Sequence, residues 1–353
     1  MPVKRAVGTV TRAAKRARLE ETLVPRLVSA SSPSLLEQHT VADQSDYLRR
    51  CRRLIDFVEA RGLPFTSPED HELALLSFFD HEFLDGRTVP DGAKMWAAFT
   101  HLMPQYGRFG NTRLQRVSRA LQGWLRLAPP GVRLPLPEEG VSAVAVLMAR
   151  AGFFELALLT MLAMDAYLRP GEAVGLKARS LVPSAPHLGY PYSITALLLA
   201  PRVDGVPTKT REFDESVLLD SPHRRWMNGL LEKLAKGKPP DALLFNVTMK
   251  DWDQTFRHAA QQAGLAILRP CLYMLRHTGS SSDALNRRGT ELGIKSRGRW
   301  QRDKTVKKYE KHARSLFQMS ELDKASQEFT MPCHAHLGEW LAAPHLAPAA
   351  PHV

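Results

Sequence analysis

The run Tyr273-Met274-Leu275-Arg276-His277-Thr278, followed by Gly298-Arg299-Trp300 and Lys307-Lys308-Tyr309, decides how the rest of the chain is read. One short segment gathers fixed cations, an indole donor and a phenol. Gly289, Gly293 and Gly298 break the helix-compatible runs between Arg276 and Tyr309 and permit tight turns between short helices. After Trp300 come Arg302, Lys304, Lys307, Lys308, Lys311 and Arg314, opposed only by Asp303 and Glu310. Positive charge of that density stabilises a phenolate and would hold a phosphodiester beside it. A solvated basic helix with a half-buried tyrosine has the same composition, so the segment takes its meaning from what surrounds it.

The 353 residues suffice for two domains and a further small piece. Apolar residues make up 44% and charged residues 24%, the proportions of a globular chain with adequate cores. Lys and Arg number 48 against 36 Asp and Glu, a formal charge of +12 that favours a polyanionic partner, nucleic acid before membrane. No apolar run approaches the ~18 residues of a span, so no membrane partner is expected. Cys51, Cys271 and Cys333 lack CxxC spacing and fit a reducing compartment. Cys333-His334-Ala335-His336 has no second ligand pair, and neither a metal nor another cofactor is expected.

By composition, residues 1–34 are expected to be a basic, disordered N-terminal segment. Lys4, Arg5, Arg12, Lys15, Arg16 and Arg18 fall in two clusters like a bipartite nuclear-import signal. An organellar transit peptide fits the same acid-poor start, and a nuclear location is the favoured expectation. Residues 35–128 read as a compact helical module. Tyr47, Leu48, Cys51, Leu54, Ile55 and Val58 recur at helical spacing, and Ser67-Pro68-Glu69-Asp70 is a helix start. Arg49, Arg50 and Arg53 on one helix, and Arg113, Arg116 and Arg119 on another, are expected to meet a DNA backbone. Residues 129–137 are a proline-rich linker. Val141 to Leu168 reads as one long buried helix. The stretch 181–220 reads as two or three strands, including Tyr192–Thr195, Leu197–Leu199, Pro207–Arg211 and Ser216–Leu219, with Asp204-Gly205 as a hairpin turn. The expected fold is therefore mainly α with a small antiparallel β-sheet, an α+β arrangement. The proline- and alanine-rich tail, 323–353, is expected to be flexible or to bind a partner.

Arg169-x-x-Glu172-x-x-x-Leu176, Lys209 in the strand region, Tyr273-x-x-Arg276-His277-Thr278 and Trp300 nine residues before Tyr309 stand in one order. In that order and spacing the chain resembles the tyrosine recombinases, the family of phage integrases and Xer-type resolvases, over about residues 35–320. The resemblance implies a helical, SAM-like core-binding domain and a tyrosine recombinase catalytic domain over 138–322. It implies Tyr309 as the nucleophile that forms a 3′-phosphotyrosyl link, and Arg169 and Arg276 as the clamp on the scissile phosphate. Two arginines suit that task because guanidinium binds phosphate bidentately and stays charged. Lys209 is the implied acid for the leaving 5′ oxygen, and Trp300 a donor or a buttress for the tyrosine. Glu172 is expected to orient an arginine, and His277, one position from Arg276, to pack or cap. Lys307 and Lys308 complete the expected DNA contacts.

Tyr273 departs from the family pattern, which usually has histidine there. A phenol is a poor proton shuttle near neutral pH. The partners implied are double-stranded DNA and a homotetramer assembled on it, joined through an exchanged C-terminal segment at 316–345. A type IB topoisomerase shares the chemistry, and a DNA-binding protein that has lost the activity shares the fold.

Overall fold

A computed structural model describes residues 44–131, 134–205, 208, 212–303, 306–307 and 312–351. The chain divides into two compact units, Met1–Val132 and Arg133–Val353. The first holds helices α1 (Gln44–Ala60), α2 (Pro68–Leu84), α3 (Val89–Leu102) and α4 (Gln115–Leu127). The start of α2 follows from its sequence. The Ser67 hydroxyl accepts from the Asp70 amide at 3.1 Å, and the Asp70 carboxylate accepts from the Ser67 amide at 3.0 Å. Pro68 occupies a first-turn position whose amide would have no helical partner. Leu54, Phe78, Phe79, Phe99, Val117 and Trp124 fill the core. Gly92 lies so close to the Trp124 ring that a Cβ there would stand 2.7 Å from it.

The second unit is organised on α5 (Glu138–Arg150) and α6 (Phe154–Asp165). The single helix expected over Val141 to Leu168 is in fact these two. Gly152 takes φ +89° and turns the chain between them, a conformation that a residue with a side chain adopts only under strain. Almost every residue of both is buried, because α9 (Met249–Gln262), α10 (Met274–Leu285), α13 (Lys324–Ala335) and α14 (Leu337–Ala342) pack around them. Helix α13 packs along α5 with Cys333 fully buried, and Leu337 and Leu341 join the same core. The tail expected to be flexible is thus part of its own domain's core. The remaining helices are α7 (Pro170–Val174), α8 (Trp226–Ala235), α11 (Glu291–Arg297) and α12 (His312–Ser320).

The sheet is three-stranded and antiparallel, β1 (Leu181–Val182), β2 (Ala196–Leu199) and β3 (Glu215–Leu218), in that order. Leu197 pairs with Leu181 on one side and Val217 on the other, and all three face the core. The mainly helical architecture with a small antiparallel sheet matches the expectation. Tyr192–Thr195, expected as strand, is a turn leading into β2. Asp204 ends a short 3-10 turn, and Gly205 at φ +64° closes it. Of the strand expected at Pro207–Arg211, only Thr208 lies within the described residues.

A buried ionic network ties these helices together. Arg224, 3% exposed, donates to Asp165 at 3.0 Å, Glu138 at 2.7 Å and Asp283 at 3.1 Å. Arg288 adds a second cation to Glu138 at 2.6 Å, and Arg297 approaches Asp165 at 3.4 Å and pairs with Asp220. Burial alone would raise the Glu138 carboxyl from its ordinary 4.5, but Arg224 and Arg288 draw it down to about 2.

That depression has a testable consequence. A carboxyl whose folded value is lowered adds stability above its unfolded value and loses it as pH falls toward the folded one. Glu138→Gln is expected to cost about 3–5 kcal/mol at neutral pH, because it breaks a buried ion pair. In urea unfolding, the gap between wild type and Glu138→Gln should narrow between pH 5 and about 2. A gap that stays constant over this range contradicts the network.

Candidate active site

The geometry of the site begins at the end of α6. Tyr167 takes φ +46°, a left-handed conformation that is strained for an aromatic residue, and turns the chain toward Arg169. Arg169 is the N-cap of α7, Pro170 its first residue and Glu172 its third. At that position the Glu172 carboxylate reaches back and accepts from the Arg169 amide at 2.9 Å, and it also pairs with the Arg169 guanidinium. The Arg-x-x-Glu spacing is therefore a capping arrangement that fixes the arginine's own side chain.

Arg276 lies in the first turns of α10 and is 1% exposed. One terminal nitrogen donates to the Tyr167 carbonyl and the other to the Gly298 carbonyl at 2.6 Å. Its guanidinium carbon stands 5.2 Å from the centre of the Trp300 ring, and Trp300 stacks on Tyr167 at 6.1 Å and 17°. Two glycines permit this approach. A Cβ at Gly279 would stand 2.0 Å from the Met164 carbonyl and 2.8 Å from the Tyr167 ring. A Cβ at Gly298 would stand 2.6 Å from the Trp300 indole. Tyr167, Ile294, Trp300 and Val306 form a small apolar cluster of their own beneath the cation.

Tyr167 also joins the site to the ionic network, since its hydroxyl donates to Asp283 at 2.6 Å. Burial and the Asp283 carboxylate push that phenol well above its ordinary value, so it remains a donor. Arg299 completes the group. Its side chain is 4% exposed, and it donates to Glu172 at 2.6 Å and approaches Glu215 at 3.6 Å. Glu172 thus bridges Arg169 and Arg299. Burial would raise its carboxyl, but Arg299 and the bonds from Arg169 hold it below the usual range.

The structure brings Arg169, Glu172, Arg276 and Trp300 together as the sequence spacing implied. Tyr273, at the N-cap of α10, has its ring 5.9 Å from that of His277, which is buried one turn on. Lys209, Lys308 and Tyr309 lie outside the described residues. Lys177, close to Lys209 in the motif order, is paired with Asp204 at 2.8 Å. Tyr167 and Arg299 were not assigned roles from sequence. Arg299 was visible only as the residue between Gly298 and Trp300, and no spacing rule selects it.

The arginines of the helical unit fall into two groups. Arg53 makes a two-pronged pair with Glu82 at 2.7 Å, and Arg50, 12% exposed, pairs with Asp46 at 2.8 Å and faces Asp91 at 3.8 Å. Both are used inside the bundle. Arg49 also pairs with Asp46 but is 71% exposed, and Arg113, Arg116, Arg119 and Lys307 are exposed.

Solved structures of lambda integrase align with this chain. A lambda integrase fragment, as a dimer bound to a COC′ core site, aligns over 85% of this chain and 95% of its own, with a TM-score of 0.53 and 14% identity. The fold is that of lambda integrase. A lambda integrase tetramer bound to a Holliday junction aligns over 88% of this chain and 89% of its own, with a TM-score of 0.51 and 12% identity. No protein-family model and no curated protein matches the chain. At these identities the likeness shows the fold alone, and that fold is the one the motif resemblance implied.

Gly298→Ala tests the packing under Arg276. The added methyl has no room beside Trp300 and is expected to cost about 1–3 kcal/mol in urea unfolding. In a Trp300→Ala background the same change should cost much less, because the ring it strikes is gone. An equal cost in both backgrounds contradicts the assignment.

Proposed function

We propose that the protein is a site-specific DNA recombinase that cleaves and rejoins DNA through a 3′-phosphotyrosyl intermediate. The observation that carries this reading is the fixing of Arg276. Its guanidinium is held by two carbonyls and a ring within an integrase fold, and linked through Gly298 and Arg299 to Glu172 and Arg169. A cation held so firmly needs no reorganisation to meet charge on a non-bridging oxygen. In the proposed reaction the Tyr309 phenolate attacks phosphorus and the 5′ oxygen leaves with a proton from Lys209. The bond energy is kept in the phosphotyrosine for rejoining. Arg169 and Arg276 hold the phosphate, and Trp300 supports Arg276 from beneath.

The exposed Arg49, Arg113, Arg116 and Arg119, with Lys307 and Lys308, are the proposed contacts to the DNA backbone, and assembly of several copies on DNA belongs to the same proposal. The net charge of +12 favours that partner. Arg50 and Arg53 are left out of this set because they are already paired within the bundle. Tyr273 in place of a histidine favours a second reading, a DNA-binding protein of the same fold with weakened chemistry.

Covalent trapping separates the two. The protein is mixed with a pool of nicked duplexes of randomised sequence in chelator, denatured and resolved by mass. An adduct is expected with wild type and not with Tyr309→Phe. Binding of the pool without any adduct favours the second reading, and no binding at low salt contradicts both.

A further inference from the structure

We propose that Arg299 is a third phosphate-binding guanidinium, completing with Arg169 and Arg276 one site for a phosphate-class anion. The inference deepens the reading of Arg169 and Arg276 as a phosphate clamp and rests on it. Four observations carry it. First, Arg299 is bracketed by the groups that hold Arg276, since the carbonyl of Gly298 before it and the ring of Trp300 after it both touch that guanidinium. On its other side it shares the Glu172 carboxylate with Arg169. The three arginines therefore form one group.

Second, its donors are only partly used. Arg299 Nη2 is bonded to Glu172, whereas Nη1 is buried with no hydrogen-bond partner among the described residues, and Nε has only the 3.6 Å approach to Glu215. A buried guanidinium donor without an acceptor is costly, and a phosphate oxygen supplies the missing acceptor.

Third, like charge is crowded here. Arg169 and Arg299 share the Glu172 carboxylate, and the crowding acts on Arg299 itself. Burial pushes its guanidinium down to about 10; Arg276 and Arg169 add to the fall, and Glu172 and Glu215 oppose it. An anion among the three relieves it.

Fourth, the backbone at Arg299 takes φ +54°, a conformation that glycine adopts freely and arginine does not. A side chain kept at a strained position beside a functional group points to use of that side chain. The same fact supplies the variant for the test. Arg299→Gly removes the guanidinium and relieves the strained turn, which offsets part of the cost of breaking its pair with Glu172.

The experiment uses the full chain and inorganic phosphate, followed by isothermal titration calorimetry, with thermal unfolding as the check on folding. Wild type is expected to bind one phosphate, and Arg299→Gly to weaken it at least tenfold while still unfolding cooperatively above the temperature of the titration. Arg276→Ala is expected to weaken it as much, which places the anion at this site. Arg299→Lys should restore binding in part, because a point charge lacks the planar fork. The same proteins are assayed for the Tyr309 adduct. Loss of phosphate binding in Arg299→Gly supports the proposal even if wild type forms no adduct, an outcome that sinks only the recombinase reading. Phosphate binding that is absent in wild type, or unchanged in Arg299→Gly, overturns it even if the adduct forms normally.

Discussion

Tyr167 joins the two systems on which the second unit depends. Its hydroxyl donates to Asp283 and so attaches to the buried network around Arg224, while its carbonyl accepts from Arg276 and its ring carries Trp300. The network spans the start of α5, the end of α6 and the last turn of α10. Those three elements are thereby held in one register, and the strained turn at Tyr167 sets Arg169 and Arg276 against each other's supports. Breaking a buried ionic group leaves uncompensated charge and costs several kcal/mol, so the register is stiff. A stiff frame is what a phosphate clamp needs, because a misplacement of about 1 Å in such a site costs much of its effect.

The cations themselves illustrate how position decides role. Arg53 and Arg50 are paired with carboxylates within the helical unit. Arg224 is spent on three carboxylates at once. Arg276 is fixed in another way: two of its hydrogen bonds run to the carbonyls of Tyr167 and Gly298, which orient the guanidinium. Glu172 does for Arg169 and Arg299 what carbonyls do for Arg276, at the expense of part of their charge.

Local rules explain what the sequence revealed. The α2 start was legible because Ser67-Pro68-Glu69-Asp70 satisfies its own first turn. The Arg-x-x-Glu spacing was legible only through the family resemblance, and its capping bond appears once the turn is built. The sheet was legible in part, from the short runs Leu197–Leu199 and Ser216–Leu219. The break at Gly152 was missed because apolar residues run across it, and one positive φ leaves no periodic trace. The buried network and Arg299 were illegible for a different reason. Glu138 and Arg224, or Glu172 and Arg299, are distant in sequence and meet only once the fold exists. The C-terminal tail was misread from its prolines and alanines. Cys333, Leu337 and Leu341 recur every four residues along it, which is the spacing of a buried helical stripe and a signal that was present.

The central claim is that the Tyr167-supported arginines hold a scissile phosphate, and the most direct measurement is a structure of the protein bound to a nicked DNA duplex. The account requires one backbone phosphate within hydrogen-bonding distance of both Arg169 and Arg276, with the Tyr309 oxygen facing its phosphorus. A complex in which the DNA lies on the protein but no phosphate reaches these guanidiniums, and Tyr309 faces elsewhere, would contradict it.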